Sequence, residues 1–439
     1  MKKLCVVISI LLLFTLCGCS VLSLEESNIM SPPKATGEKA KIQKLIDKET
    51  SGSYTLKYPK NGANRSSIVM HSFDEDEDEE AIALYSDKEG DHIHALFFDI
   101  IDDEYTIISD ILLEAAGIDR VDFADINGDS VNEILIGYST STSSQNILNI
   151  FSYQQDEIAK LDIACAYSSL ITGDFNYDKH DDILLISLFS GDVAAQATLM
   201  IYNSEGSLSE LGSTELDSDI TQLAATTYAQ LSYGTYGAVI DGISSTGDYT
   251  TQIVYFDKEQ PALINPLYSY SGYSNTRRST QVCCVDFDKD ELIDIPICSL
   301  MGYDESEDMN KVLRRIDWSN FDTETYALST IESSILCTAD GYMLDMPSKW
   351  SDTITARYNV KERETTIYAI EYKNNTLTLK DELLVIKAFS VDEYNKDSSG
   401  FTEFLSTGST VYTYSIGNAD NYLSITGDEV SSLFSLVNQ

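Results

Sequence analysis

Histidine occurs four times in 439 residues, tryptophan twice and proline seven times, and acidic residues outnumber basic ones 71 to 29. Each scarcity excludes something. Of the histidines His71, His92, His94 and His180, the pair His92 and His94 falls on one face of an expected strand, but no third ligand is spaced to complete a zinc site. No G-x-S-x-G elbow, phosphate loop or dinucleotide fingerprint is present. Carboxylate pairs of the kind used in glycoside hydrolysis are uninformative in so acidic a chain. The cysteines include no C-x-x-C spacing, so Cys165, Cys283, Cys284, Cys298 and Cys337 read mostly as small buried apolar residues. A formal net charge of -42 repels nucleic acid and anionic headgroups and attracts divalent cations.

What is present begins with MKKLCVVISILLLFTLCG, a positive pair, Lys2 and Lys3, ahead of an apolar stretch too short to span a bilayer comfortably. This reads as an export signal over residues 1–18. Its end, Leu16-Cys17-Gly18-Cys19, resembles the lipobox of bacterial lipoproteins. The resemblance implies a diacylglyceryl group on Cys19, acyl chains that hold the protein at the cell membrane, and an extracytoplasmic location. Beyond residue 30 no run approaches the ~18 apolar residues of a membrane helix, so the anchor is expected to be lipid alone. Residues 19–50, polar with two prolines, read as a tether carrying a short helix over Glu38 to Lys48.

The chain then repeats itself. Asp125, Asn127, Asp129 and Glu133 precede ILIGYS; Asp174, Asn176, Asp178 and Asp182 precede ILLISL; Asp286, Asp288, Asp290 and Asp294 precede IPICSL. A weaker copy places Ser72, Asp74, Asp76 and Glu80 before AIALYS, and residues 228–244 keep the strand-turn-strand pattern without the acids. Successive first positions lie 53, 49 and 112 residues apart, the last gap being close to two periods. Alternating segments such as DRVDFADI, SSLITGDF and TQVCCVDF enter the loops, and two further strands follow each exit. Four short strands every fifty residues predict β-propeller blades over residues 51–336, about five of them, alternatively six or seven. On a tight turn the side chains at positions one, three, five and nine, with a backbone carbonyl at seven, gather five or six hard oxygens. That set suits Ca²⁺ better than the stricter octahedron of Mg²⁺.

DINGDSVNEILIG resembles the FG-GAP or VCBS repeat of integrin-type and bacterial surface propellers, over roughly residues 60–335. The resemblance implies calcium held by Asp125, Asn127, Asp129, Glu133, Asp174, Asn176, Asp178, Asp182, Asp286, Asp288, Asp290 and Asp294, with Asp74 and Asp76 as the weaker loop. The flanking "FG" and "GAP" residues of the family are poorly kept here.

From residue 337 the period stops, and period-two strands followed by TGDEVSSLFSLV predict a small α+β domain over 337–439. Thr426 or Asp428 is placed to cap a last helix with Val430, Leu433 and Phe434 on its apolar face. Trp350, beside a strand, reads as core. Three functions remain open at this level: a non-catalytic propeller that binds an extracellular protein or glycan, a propeller-based polysaccharide lyase or hydrolase, and a scaffold lipoprotein. Twenty-seven tyrosines favour binding, because tyrosine offers large contact area with few torsions.

Overall fold

The computed structural model describes residues 36–73, 78–87, 92–154, 157–191, 194–268, 276–304, 306–374 and 376–437. The signal segment, Cys19, Asp74 and Asp76 lie outside them. Among the described residues no helix is long and apolar enough to cross a membrane. The chain is mainly β, with six antiparallel sheets among these residues, and divides into two compact units.

The first unit gathers the chain up to Lys57 with Ser67–His71 and Glu79–Leu113. Its helix, Glu38–Glu49, follows the sequence expectation to within one residue. Ile42 and Ile46, one turn apart, are fully buried against Ile68, Ala81, Leu96 and Phe98. Residues 38–49 are therefore part of a packed unit, not of the tether assigned to residues 19–50. The first sheet runs Tyr54–Leu56, Glu80–Asp87, Ile93–Ile101, Glu104–Leu113, with Ile68–His71 also paired to Glu80–Asp87. In it His94 bonds Asp110 at 2.9 Å and stacks on Tyr85, which gives that imidazole a structural role.

The second unit holds Tyr58–Ser66, Ser72–Asp78 and Glu114–Gln439. Three meanders follow the fifty-residue period. The second sheet is Gly117–Ala124, Glu133–Ser139, Asn146–Gln154 and Glu157–Tyr167. The third is Ser169–Gly173, Asp182–Ser187, Gln196–Tyr202 and Leu208–Glu215. The fourth is Ile220–Ser232, Thr235–Ser244, Tyr249–Asp257 and Ala262–Ile264, so the unit at 228–244, with no acids in its turn, keeps the same pairing. The strands leaving the first two loops are apolar on both faces because both are covered. Residues 133–137 and 182–186 are buried without a break, while Leu208–Glu215 is open to solvent at alternate positions. Neighbouring sheets share their cores: Leu135 and Ile150 meet Leu170 and Ile183, Leu184 and Leu199 meet Ala238 and Ile240, and Val239 and Ile253 meet Ile295 and Phe321.

The fifth sheet departs from the pattern. The segment TQVCCVDF, expected as a strand, makes only the bridge Val285↔Asp294. Its backbone is spent elsewhere: Arg278 Nε donates to the Val282 carbonyl, and the Cys284 amide donates to Asp241. The sheet is instead Ile295–Leu300, Arg314–Phe321, Leu328–Cys337 and Tyr342–Asp345, closed by Phe434–Leu436 returning from the far end of the chain. The expected boundary at 336/337 thus falls inside a strand.

The C-terminal part is α+β, with a five-stranded sheet ordered Ile354–Asn359, Glu364–Lys373, Thr376–Ser390, Thr410–Ile416, Thr402–Ser406. Its core is continuous with that of the fifth sheet, where Ile335 and Tyr342 join Trp350, Ile367 and Ile386. Trp350 is fully buried and donates from Nε1 to the Leu423 carbonyl at 2.7 Å. The short helix Gly427–Leu433 begins with a reciprocal cap between Thr426 and Glu429 and buries Val430. Thr426→Ala removes the acceptor for the Glu429 amide and is expected to lower stability by about 1 kcal/mol. Urea unfolding checks it, with Ser at the same position restoring most of the loss.

Candidate functional site

Three loops, 125–133, 174–182 and 286–294, join the strands named above and share one backbone pattern. At position six the amides of Ser130, Lys179 and Glu291 donate to the second carboxylate oxygen of Asp125, Asp174 and Asp286, at 3.0, 3.1 and 3.2 Å. At position five the amides of Asp129, Asp178 and Asp290 donate to Asn127, Asn176 and Asp288. At position seven Val131, His180 and Leu292 donate to Asp129, Asp178 and Asp290. The ninth-position carboxylates of Glu133, Asp182 and Asp294 accept from the amides of Ile126, Phe175 and Phe287. Positions four and six are left-handed in all three: Gly128 and Ser130, Tyr177 and Lys179, Lys289 and Glu291 have φ between 66° and 77°. The shared pattern sets the twelve sequence-predicted residues in three like turns; among the described residues, three carboxylates converge in the third of them, at Asp286, Asp288 and Asp294. In the first loop Asn127 Nδ2 also donates to Glu133 Oε1 at 2.6 Å.

Such an arrangement concentrates negative charge in partly dry surroundings. Burial, reinforced by neighbouring aspartates, pushes Glu133 and Asp182 up to about 7 and Asp294 up to about 6. Asp286, Asp288 and Asp294 each bring a carboxylate oxygen within 4.8 Å of the other two. Asp294 is fully buried, yet its Oδ1 has no hydrogen-bond partner, and Asp174 Oδ1 is likewise buried without one. Unpaired buried carboxylate oxygens facing other carboxylates fit a divalent hard cation held by oxygen donors. In the fourth copy, Glu80 is fully buried at the ninth position; Asp74 and Asp76 lie outside the described residues.

These raised values fix a pH dependence for chelator-treated protein. A carboxylate whose folded pKa exceeds its unfolded one binds its proton more tightly in the folded state. Its stabilising contribution is complete below the unfolded value near 4 and is lost as pH rises to the folded value. Thermal midpoints in chelator are therefore expected to fall between about pH 4.5 and 7 and to fall less when calcium is present. Calorimetry across that range checks it.

The loops also touch the following sheets. The Asp181 amide donates to the Asp125 carbonyl at 2.8 Å, linking the first two loops. Gly128 lies so close to the His180 imidazole that any side chain there would collide with it. Tyr228 Oη donates to the Asp174 carbonyl at 2.7 Å, and the Ile293 amide to the Gln230 carbonyl at 3.0 Å. Sequence reasoning missed this docking, and it missed the buried ion pair of Arg278 Nη2 with Asp241 Oδ1 at 2.9 Å. Asp241 also accepts from Thr251 Oγ1 and the Cys284 amide. Neither partner belongs to a motif; only Asp241, a charge inside the strand Thr235–Ser244, stood out in the sequence.

No family model matches the sequence, and no characterised protein matches it. Among solved structures, the chain is similar to a protein from Lactobacillus plantarum at 12% identity, over 69% of this chain and 81% of that one, with a TM-score of 0.26. It is also similar to the Dos1 propeller at 11% identity, over 81% of this chain and 68% of that one, with a TM-score of 0.30. Likenesses this weak define no activity.

Proposed function

We propose that the chain is a lipid-anchored extracytoplasmic protein whose repeated four-stranded sheets form a calcium-stabilised β-propeller of the FG-GAP/VCBS kind, non-catalytic, that binds a protein or glycan. The observation carrying the calcium reading is the fully buried Asp294, with one oxygen unpartnered and two further aspartates within 4.8 Å. Three loops with one hydrogen-bond pattern support it, as do three four-stranded meanders in step with the sequence period. Calcium would be held by positions one, three, five and nine of each loop. There it neutralises carboxylates that otherwise repel, and it stiffens turns that dock on the adjacent sheet. The Cys19 anchor would keep the binding surface at a membrane, and the acidic field disfavours nucleic acid as a partner.

Incubating expressing cells with an alkyne-tagged palmitate is expected to label the chain and to fail with Cys19→Ser; an unlabelled wild type removes the anchor. A polysaccharide screen that detects product formation removes the non-catalytic reading.

A further inference from the structure

A cleft of about 510 Å³ lies where the third, fourth and fifth sheets of the second unit meet, within the roughly 300–1,000 Å³ usual for small-molecule sites. Tyr177, Tyr255 and Tyr326 line it together with Lys258, Gln260 and Glu324. We propose that this cleft binds a neutral oligosaccharide and that the loop 174–182 shapes it; the second half rests on the calcium reading above.

Tyr177 is the fourth residue of that loop and Tyr326 ends the turn that follows Phe321. Both are non-glycine residues in left-handed backbone, at φ 66° and 58°. Such conformations cost about 1–3 kcal/mol each and persist where the surroundings enforce them. The equivalent residues in the other two loops are Gly128 and Lys289, so an aromatic ring at this position is particular to the loop beside the cleft. Its hydroxyl is fixed by the Tyr236 amide at 2.8 Å, across to the fourth sheet. Asp322, accepting from the amides of Glu324 and Thr325, braces the turn that carries Tyr326, which is 44% exposed.

The chemistry selects the ligand. The exposed Tyr326 ring beside a mixture of donors and acceptors suits a molecule with apolar C–H faces and a hydroxyl rim. An anion would meet Glu324, Glu259 and the field of a chain with net charge -42. Among the described residues the one ammonium lining the cleft, Lys258 Nζ, already sits 3.2 Å from the centre of the Tyr177 ring. A peptide adding as a strand needs an unpaired sheet edge, whereas these walls include the turns at 233–234, 258–261 and 323–325.

Isothermal titration of the full-length chain in detergent, loaded with calcium, tests this against neutral hexasaccharides of β-1,4-glucose, N-acetylglucosamine, xylose, mannose and α-1,4-glucose, with an oligouronide and a mixed-sequence peptide as contrasts. At least one neutral hexasaccharide is expected to bind with a Kd below about 1 mM. Tyr326→Ala is expected to weaken it tenfold or more while leaving the calcium-induced rise in thermal midpoint intact. Asp178→Ala is expected to lower both affinity and that rise. No binding by any neutral sugar, unchanged affinity in Tyr326→Ala, or preference for the oligouronide or the peptide overturns the cleft assignment. Sugar binding to a chain whose midpoint ignores calcium overturns the loop coupling and the calcium reading but not the cleft.

Discussion

Calcium at about 10 mM is expected to raise the thermal midpoint of chelator-treated protein by several degrees. An ion that binds only the folded chain stabilises it by mass action. Sites of this kind outside cells dissociate at about 0.1–1 mM, so each contributes roughly 1.4–2.7 kcal/mol at that concentration, and three give on the order of 4–8 kcal/mol. Magnesium is expected to do less, because these loops offer a flexible ring of carboxylates where Mg²⁺ needs a strict octahedron. Asp129→Ala combined with Asp178→Ala empties two of three loops and is expected to cut the rise by about two thirds. Both carboxylates also accept amide bonds within their turns, so the variant starts from a lower baseline. The calcium-induced difference, read by scanning calorimetry, cancels that baseline, and an unchanged difference removes the ligand assignment.

The second large effect is independent of metal. Arg278 and Asp241 are almost fully enclosed and are held further by bonds to Thr251, the Thr276 and Val282 carbonyls and the Cys284 amide. Taking away one partner strands the other charge where water cannot reach it. Arg278→Ala is therefore expected to cost about 3–5 kcal/mol. Replacing both residues with apolar ones of similar volume is expected to cost markedly less, since no unpaired charge remains. Chemical denaturation of the single and paired variants, with calcium held constant, measures the difference. A paired variant as unstable as Arg278→Ala would show that the pair acts through its backbone contacts and not through its charges.

The loops were legible because their information is local. Nine residues carry both the acids and the left-handed turns, and the exit strands ILIGYS and ILLISL announce their burial by composition. The unit at 228–244, with no acids in its turn, was legible from its strand pattern alone. The helix over Glu38–Glu49 was legible too, but its packing was not: Ile42, Leu45 and Ile46 make an apolar stripe one turn long, and what covers it comes from strands as distant as Ile107. Two other features depend on distant partners. Phe434–Leu436 is a three-residue strand paired to Tyr342–Asp345, about ninety positions earlier, and so short a segment has no periodicity to read. TQVCCVDF alternates as a strand should, but Asp241 and Arg278 capture its backbone, and that competition is invisible without the fold.

The most direct measurement is the number of calcium ions held by each chain, by equilibrium dialysis against ⁴⁵Ca²⁺ at near-saturating concentration. At least three ions per chain are expected, falling by one with each of Asp129→Ala, Asp178→Ala and Asp290→Ala. A chain that holds none, or one whose count is untouched by all three substitutions, contradicts the account.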